Sequence, residues 1–149
     1  MLYENNWESL NSRPVPEWFG DAKFGIFIHF GLYSVPSFTE NGQYAEWYMM
    51  QLKDGNKAVK DFHNRVYGES FRYEDFVSGF KCELFDADRW AKLFRDAGAK
   101  YINITSKHHD GFCLWPTKYT DYSVRNTPYK NGKGDIVRRT TPRRCRHTG

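Results

Sequence analysis

The sequence has no long hydrophobic run and none of the common nucleotide-binding or serine-nucleophile motifs. Its 149 residues have a mean hydropathy of -0.78, and no apolar stretch approaches the ~20 residues that a membrane-spanning helix requires. An integral membrane protein is therefore excluded. A GxGxxG loop, a Walker loop and a GxSxG elbow are all absent, so hydride transfer, P-loop and serine-hydrolase chemistry have no support in the sequence.

Cysteine is also scarce. The three cysteines, at positions 82, 113 and 145, form no CxxC pair, which argues against a disulfide framework and against a zinc knuckle. The N-terminus lacks a basic region followed by an apolar core, so no signal peptide is visible. We therefore expect buried or incidental thiols; a cytoplasmic location is favoured, but the sequence does not assign one.

Acidic residues are missing from the last part of the chain, where much of the positive charge lies. The whole chain has 22 Lys and Arg against 18 Asp and Glu, which gives a net charge of +4. Residues 138–149 contain five of the arginines, and the rest of the chain is nearly neutral. We divide the chain into a body, residues 1–137, and a polybasic tail, residues 138–149. The tail has no interleaved aromatic residues, so we do not expect nucleic acid as a partner.

Aromatic residues, by contrast, are abundant at 18% of the chain, which argues against disorder. Phe24–Phe30 is a continuous apolar run typical of a strand buried on both faces. Asp86–Gly98 predicts a helix with an apolar stripe, an aspartate N-cap and a C-terminal glycine. Tyr101–Thr105 predicts a second strand. Strand, helix and strand form a βαβ unit, so the sequence predicts an α/β protein with a parallel sheet.

The connection between the first strand and the helix is unusually long, at about 55 residues where roughly 2–6 are normal. It is rich in aromatic residues, which indicates a functional element placed over a site. We expect short helices near Glu46–Leu52 and Glu74–Phe80. A further helix begins near Gly134–Val137, with Asp135 close to its N-cap.

Histidines follow both predicted strands. His29 ends the first strand, and His108 and His109 come shortly after the second. Because the carboxyl ends of parallel strands face the same crevice, we expect these three side chains to converge. A satisfied structural histidine remains the alternative at each position taken singly.

Two kinds of ligand suit such a cluster. A metal could use the three histidines with Asp110, but neighbouring residues on an extended backbone point to opposite sides, which makes a shared ion with His108 and His109 the weaker hypothesis. The other ligand is an uncharged, polyhydroxylated molecule, bound by imidazole hydrogen bonds and by the flat faces of aromatic rings. Glu46–Tyr48 and Trp115 supply that mixture, although an ordinary core role stays open for both tryptophans. We expect no metal and no cofactor.

Carboxylates for acid–base chemistry are harder to place. Glycoside hydrolysis generally requires two carboxylates that flank the scissile bond. Asp110 and Glu46 are the best-situated candidates, but an Asp-Gly step is commonly a turn. Spacing alone assigns neither residue as a nucleophile.

Three motifs in the same order closely resemble the amino-terminal part of the family 29 α-L-fucosidases. They are Trp18–Gly31, Ala45–Tyr48 and Lys107–Phe112, and the resemblance extends from about Trp7 to Val137. It implies the first part of a (β/α)₈ TIM-like barrel, with about two of its strands present. It also implies a retaining exo-glycosidase that removes terminal α-L-fucose from fucosylated glycans without a metal.

The resemblance assigns substrate-binding roles, which are expected at His29, Glu46, Trp47, His108 and His109. It places the aspartate nucleophile and the acid/base glutamate beyond this segment, so we expect no catalytic residue in the chain and no activity from the chain alone. A non-catalytic fucose-binding fragment is the alternative. The polybasic tail departs from the family pattern and indicates a frameshifted or misjoined coding sequence, with a genuine polybasic tail and an unusual splice product as the alternatives.

Overall fold

The computed structural model describes residues 3–140. Two short strands pair in parallel, β1 (Gly25–Ile28) and β2 (Tyr101–Ile104), with Gly25 opposite Tyr101 and Ile28 opposite Ile104. Six α-helices are described: α1 (Trp7–Asn11), α2 (Glu17–Ala22), α3 (Tyr48–Asp54), α4 (Lys57–Tyr67), α5 (Ala87–Asp96) and α6 (Ile136–Thr140). Short 3-10 helices cover Leu32–Ser34, Ala45–Trp47, Tyr73–Gly79, Val124–Asn126 and Tyr129–Gly132. The predicted α/β class and parallel strand pair are confirmed.

Helix α5 follows its sequence signals closely. The side chain of Asp86 accepts hydrogen bonds from the backbone N–H groups of Asp88 and Arg89, at 3.0 and 3.1 Å. At the other end, Gly98 adopts a φ of +91°, a conformation that glycine enters without a Cβ penalty. The ring of Trp90 then packs 5.7 Å from that of Phe30, which fixes the helix against the end of β1.

The long connection between β1 and α5 contains the two short helical segments that the sequence predicts near Glu46–Leu52 and Glu74–Phe80. The segment near Glu46 forms a 3-10 turn followed by α3, and the segment near Glu74 forms a 3-10 helix. Helix α4 was not predicted from the sequence; it begins after Asn56, whose side chain accepts from the backbone N–H of Val59 at 3.0 Å. The predicted start of α6 is confirmed, because Asp135 accepts from the backbone N–H of Arg138 at 2.8 Å.

The hydrophobic core lies in this connection and in the segment after β2. Its buried members are Leu32, Tyr33, Tyr48, Val59, Tyr73, Phe76, Phe80, Phe112, Leu114, Val124, Tyr129 and Ile136. The core therefore sits beside the carboxyl ends of the two strands, and it supports the loops that leave those ends.

The strand prediction was wrong in one respect, because β1 is not buried on both faces. Phe27 is 61% exposed, and its register partner Asn103 is exposed as well. The physical reason is that the described sheet has only two strands, so neither strand is flanked by further sheet within residues 3–140. The apolar stripe of α5 is also only partly covered, with Leu93 62% exposed.

Two further predictions concern the end of the chain. Helix α6 runs through Arg138 and Arg139 to Thr140, so the change of composition at position 138 does not end the helix. The remainder of the predicted polybasic tail, residues 141–149, lies outside the described residues, and the boundary at 137 stays a prediction. None of the helices within residues 3–140 is long and apolar enough to cross a membrane.

Candidate active site at the strand ends

The parallel register brings the ends of both strands to one place. The backbone N–H of Thr105 donates to the carbonyl oxygen of Ile28 at 3.1 Å, which continues the ladder beyond β2. The Thr105 hydroxyl lies 3.4 Å from the carbonyl oxygens of Ile28 and Phe30, and 3.5 Å from the hydroxyl of Tyr33. These contacts tie together the segments that lead to the first histidine and to the histidine pair.

The three histidines predicted to converge do so. The ring centroids of His29 and His108 lie 5.5 Å apart, and those of His108 and His109 lie 4.7 Å apart. Trp47 joins them from the long connection, with its ring 4.5 Å from His109 and 6.1 Å from His108. Tyr33 closes the group, with its ring 5.4 Å from His108.

Electrostatics favour the uncharged imidazole at the centre of the cluster. Burial lowers the pKa of His108, and the neighbouring His109 and His29 lower it further. A neutral imidazole both donates and accepts hydrogen bonds, as a ligand with several hydroxyl groups requires. Nδ1 of His108 is buried and has no hydrogen-bond partner within residues 3–140.

The two carboxylates considered from the sequence differ in their surroundings. Oδ2 of Asp110 accepts from the Tyr73 hydroxyl at 2.8 Å, and Oδ1 accepts from the backbone N–H of Phe112 at 3.1 Å. Burial raises the pKa of Asp110 against the opposing effect of these hydrogen bonds. Glu46 is half-buried in the turn before Trp47, and its charge contributes, after burial, to raising the pKa of Tyr33 to about 12.

The turn at Asp110–Gly111 has the geometry that its sequence predicts. The N–H of Gly111 donates to the carbonyl oxygen of His108 at 3.1 Å, and Gly111 adopts a φ of +78°. A side chain at this position would be strained at that φ, so glycine is required. Asp110 therefore stabilises the turn that follows the histidine pair.

Compared with the sequence-based prediction, the structure adds two tyrosines to the candidate site and does not place Trp115 against the histidines. Tyr33 and Tyr73 were not predicted as site residues, although Tyr33 comes just after the end of the first strand, which is the signal that could have found it. Within residues 3–140, Trp115 makes no ring contact with the histidines, whereas Trp47 does. The described residues also contain no group of three or more His, Cys, Asp or Glu side chains arranged to hold a metal ion.

A cleft of about 360 Å³ lies between α3, α4 and residues 71–74, and none of the three histidines lines it. The histidine cluster lies outside that cleft, after the carboxyl ends of the two strands. This geometry places the chain among α/β proteins with a cluster of polar and aromatic side chains at the carboxyl ends of parallel strands. A profile of the alpha-L-fucosidase family matches residues 1–149, and the chain belongs to this family.

Individual relatives agree with the profile. The chain is 53% identical over 116 residues to the alpha-L-fucosidase of Dictyostelium discoideum, an alignment that covers 76% of this chain and 25% of that protein. It is 48% identical over 118 residues to human plasma alpha-L-fucosidase, with 79% of this chain and 24% of the human protein covered.

Solved structures show the same similarity in three dimensions. A crystal structure of Thermotoga maritima alpha-fucosidase matches with a TM-score of 0.84 and 47% identity, and covers 93% of this chain and 33% of the other. The same enzyme in complex with fucose matches with a TM-score of 0.79 and 49% identity, over 85% and 31% of the two chains. The chain thus spans about a quarter to a third of the length of these relatives.

Proposed function

We propose that this chain carries the substrate-binding part of a retaining exo-α-L-fucosidase, which hydrolyses terminal α-L-fucose from fucosylated glycans. The proposed sugar-binding residues are His29, Glu46, Trp47, His108 and His109. The observation that carries the proposal is the convergence of the three histidine rings with Trp47 at the strand ends. Membership of the alpha-L-fucosidase family selects fucose among the possible sugars.

The chemistry of these residues suits a small, uncharged sugar. The imidazoles of His29, His108 and His109 donate and accept hydrogen bonds to hydroxyl groups, and the Glu46 carboxylate accepts from them. The Trp47 ring offers an apolar face against which the C–H side of a sugar ring can pack. The lowered pKa of His108 supports a neutral imidazole in this role.

The two strands are proposed as the first two of a (β/α)₈ barrel, within a catalytic-domain portion that covers residues 1–137. Their parallel pairing and the long connection between them are compatible with that architecture. A barrel places its site at the carboxyl ends of the strands, which is where the histidines lie.

Hydrolysis with retention uses a carboxylate nucleophile and an acid/base, roughly 5–5.5 Å apart. Asp110 has both oxygens engaged by Tyr73 and Phe112, so we assign it no nucleophilic role. We propose that the nucleophile and the acid/base belong to parts of the enzyme outside the residues matched here, and that the chain alone binds without turnover.

Calorimetry with L-fucose tests the binding proposal, with D-fucose as the enantiomeric control. We expect the chain to bind L-fucose and His29→Ala to lose most of that affinity. Equal heats for the two enantiomers, or unchanged binding by His29→Ala, would overturn the proposal.

Hydrolysis of an aryl α-L-fucoside tests the catalytic assignment and separates the alternative function. A non-catalytic fucose-binding fragment is favoured by the engaged carboxylate of Asp110; it predicts specific binding with no turnover even when the remaining part of a family member is supplied. Turnover by the chain alone that is abolished at one of its own carboxylates would contradict the placement of the nucleophile elsewhere.

A further inference from the structure

His63 is a buried histidine remote in sequence from the three at the strand ends. It lies in α4 and is 4% exposed. Its ring is surrounded by the aromatic rings of Tyr48, Tyr67, Phe71 and Phe76, with centroids 5.5–5.9 Å away. A polar ring in such surroundings requires hydrogen-bond partners for both nitrogens.

Both ring nitrogens of His63 form hydrogen bonds, and the chemistry of each partner determines whether the nitrogen donates or accepts. Nε2 lies 2.8 Å from the carbonyl oxygen of Phe71, which can only accept, so Nε2 carries a hydrogen and donates. Nδ1 lies 2.9 Å from the hydroxyl of Tyr48 and accepts from it. His63 therefore connects α3 to the segment that follows α4 through two directed hydrogen bonds.

Both hydrogen-bond partners of His63, Tyr48 and Phe71, lie close in sequence to residues that contact the candidate site. Tyr48 is completely buried and directly follows Trp47, whose ring lies 4.5 Å from His109. On the other side, Phe71 is two residues before Tyr73, whose hydroxyl donates to Asp110 at 2.8 Å. The rings of Tyr48 and Tyr73 also pack 6.3 Å apart, and the His63 imidazole adds hydrogen bonds to both of the segments that contact the 108–110 turn.

We propose that His63 is a positioning residue for sugar binding, which sets the placement of the Trp47 ring against His109 through Tyr48. The hydrogen bonds and ring contacts of His63 within residues 3–140 go to residues 48, 67, 71 and 76 and to none of His29, His108 or His109. It therefore acts through its neighbours. The inference rests on the proposed fucose site, but the ring contact that it explains exists without a ligand.

The test uses the full chain and two variants that remove the connection in different ways. His63→Leu removes both hydrogen bonds, and Tyr48→Phe removes the donor while keeping the ring. His63→Gln is the conservative rescue, because its amide also donates and accepts. Val59→Ala is the matched control, since Val59 is buried in the same helix but its side chain forms no hydrogen bond.

The first readout is the nuclear magnetic resonance signal of the His109 imidazole, which the Trp47 ring shifts. We expect His63→Leu and Tyr48→Phe to move this signal in the direction that Trp47→Leu does, while His63→Gln and Val59→Ala leave it near the wild-type position. An unchanged His109 signal in a folded Tyr48→Phe chain would overturn the inference, whether or not His63→Leu folds.

The second readout is the affinity for L-fucose. We expect a loss of about tenfold for Tyr48→Phe and His63→Leu, and of less than about threefold for His63→Gln and Val59→Ala. A loss in Val59→Ala as large as in Tyr48→Phe would reduce the effect to general destabilisation and overturn the inference. If the wild-type chain binds no L-fucose, the proposed function fails, and the His109 signal alone decides the role of His63.

Discussion

The hydroxyl of Tyr73 donates a 2.8 Å hydrogen bond to Oδ2 of Asp110. Tyr73 lies in the long connection between the strands, and Asp110 directly follows the paired histidines. Because Tyr73 is 5% exposed and belongs to the hydrophobic core, the contact ties the half-buried carboxyl group of Asp110 to the core. Asp110 therefore links the core of the connection to the turn that carries His108 and His109.

This arrangement predicts a specific dependence of stability on pH. Burial raises the pKa of Asp110 above its ordinary value of 3.8, so the folded chain holds this proton more tightly than the unfolded chain. The stability that the group contributes is fully present below pH 3.8 and is lost as the pH rises through the raised pKa. We predict that the unfolding free energy of the wild type relative to that of Asp110→Asn falls over this range, as measured by urea unfolding.

Asp75 provides a control of opposite sign. The backbone N–H of Arg72 and then its guanidinium group lower the pKa of Asp75. Its contribution is present above pH 3.8 and is lost as the pH falls through the lowered pKa. The wild type relative to Asp75→Asn should therefore gain stability as the pH rises. Slopes of the same sign for both variants would contradict the two assignments.

Local signals in the sequence were sufficient for the parts of the fold that local forces determine. Asp86 marks the start of α5 and Gly98 follows its end, because an N-cap side chain and a left-handed glycine satisfy backbone groups within one helical turn. The convergence of the histidines also followed from the sequence, since parallel strands place their carboxyl ends together. The roles of His29, His108 and His109 in binding stay predictions.

The remainder depended on packing between distant segments. Helix α4 was missed although Gly55, with a φ of +84°, and Asn56 mark the boundary between it and α3. The exposure of Phe27 could not be read from the apolar run, because burial depends on which elements cover a strand. Tyr33 and Tyr73 join the site through hydrogen bonds to Thr105 and Asp110, which are 72 and 37 residues away in sequence. Hydrophobic periodicity does not predict such long-range contacts.

The N-cap of α5 is open to a simple mutational test. Replacement of Asp86 by Ala removes the acceptor for two backbone N–H groups and is expected to cost about 1 kcal/mol of unfolding free energy. Asp88→Ala is the control. Asp88 lies in the first turn, and only its backbone N–H bonds to the cap. Its side chain therefore stabilises the helix only through the helix dipole, by about 0.3 kcal/mol. Urea unfolding measures both, and equal losses would show that the Asp86 side chain is not a cap.

The two tryptophans considered from the sequence should differ in sugar binding. Trp47 contacts two of the histidines, whereas Trp115 makes no ring contact with them in the described structure. We predict that Trp47→Ala weakens L-fucose binding by roughly tenfold, as expected from the loss of about 1.5 kcal/mol of ring contact. Trp115→Ala should retain the wild-type affinity in calorimetry. The reverse order would remove Trp47 from the proposed site.

The uncovered face of the sheet predicts self-association of the chain. Phe27 is 61% exposed and lies on a strand with an open edge within the described sheet, and such surfaces promote aggregation. We predict that Phe27→Lys increases the monomer fraction in light scattering, with little change in unfolding free energy. Leu93→Lys, at a 62% exposed position on α5, tests a second exposed apolar position, away from the histidines. Phe80→Lys is the contrasting control, because Phe80 is 2% exposed and a lysine there would unfold the core. If Phe27→Lys and Leu93→Lys associate as strongly as the wild type, neither position lies on the surface through which the chains associate.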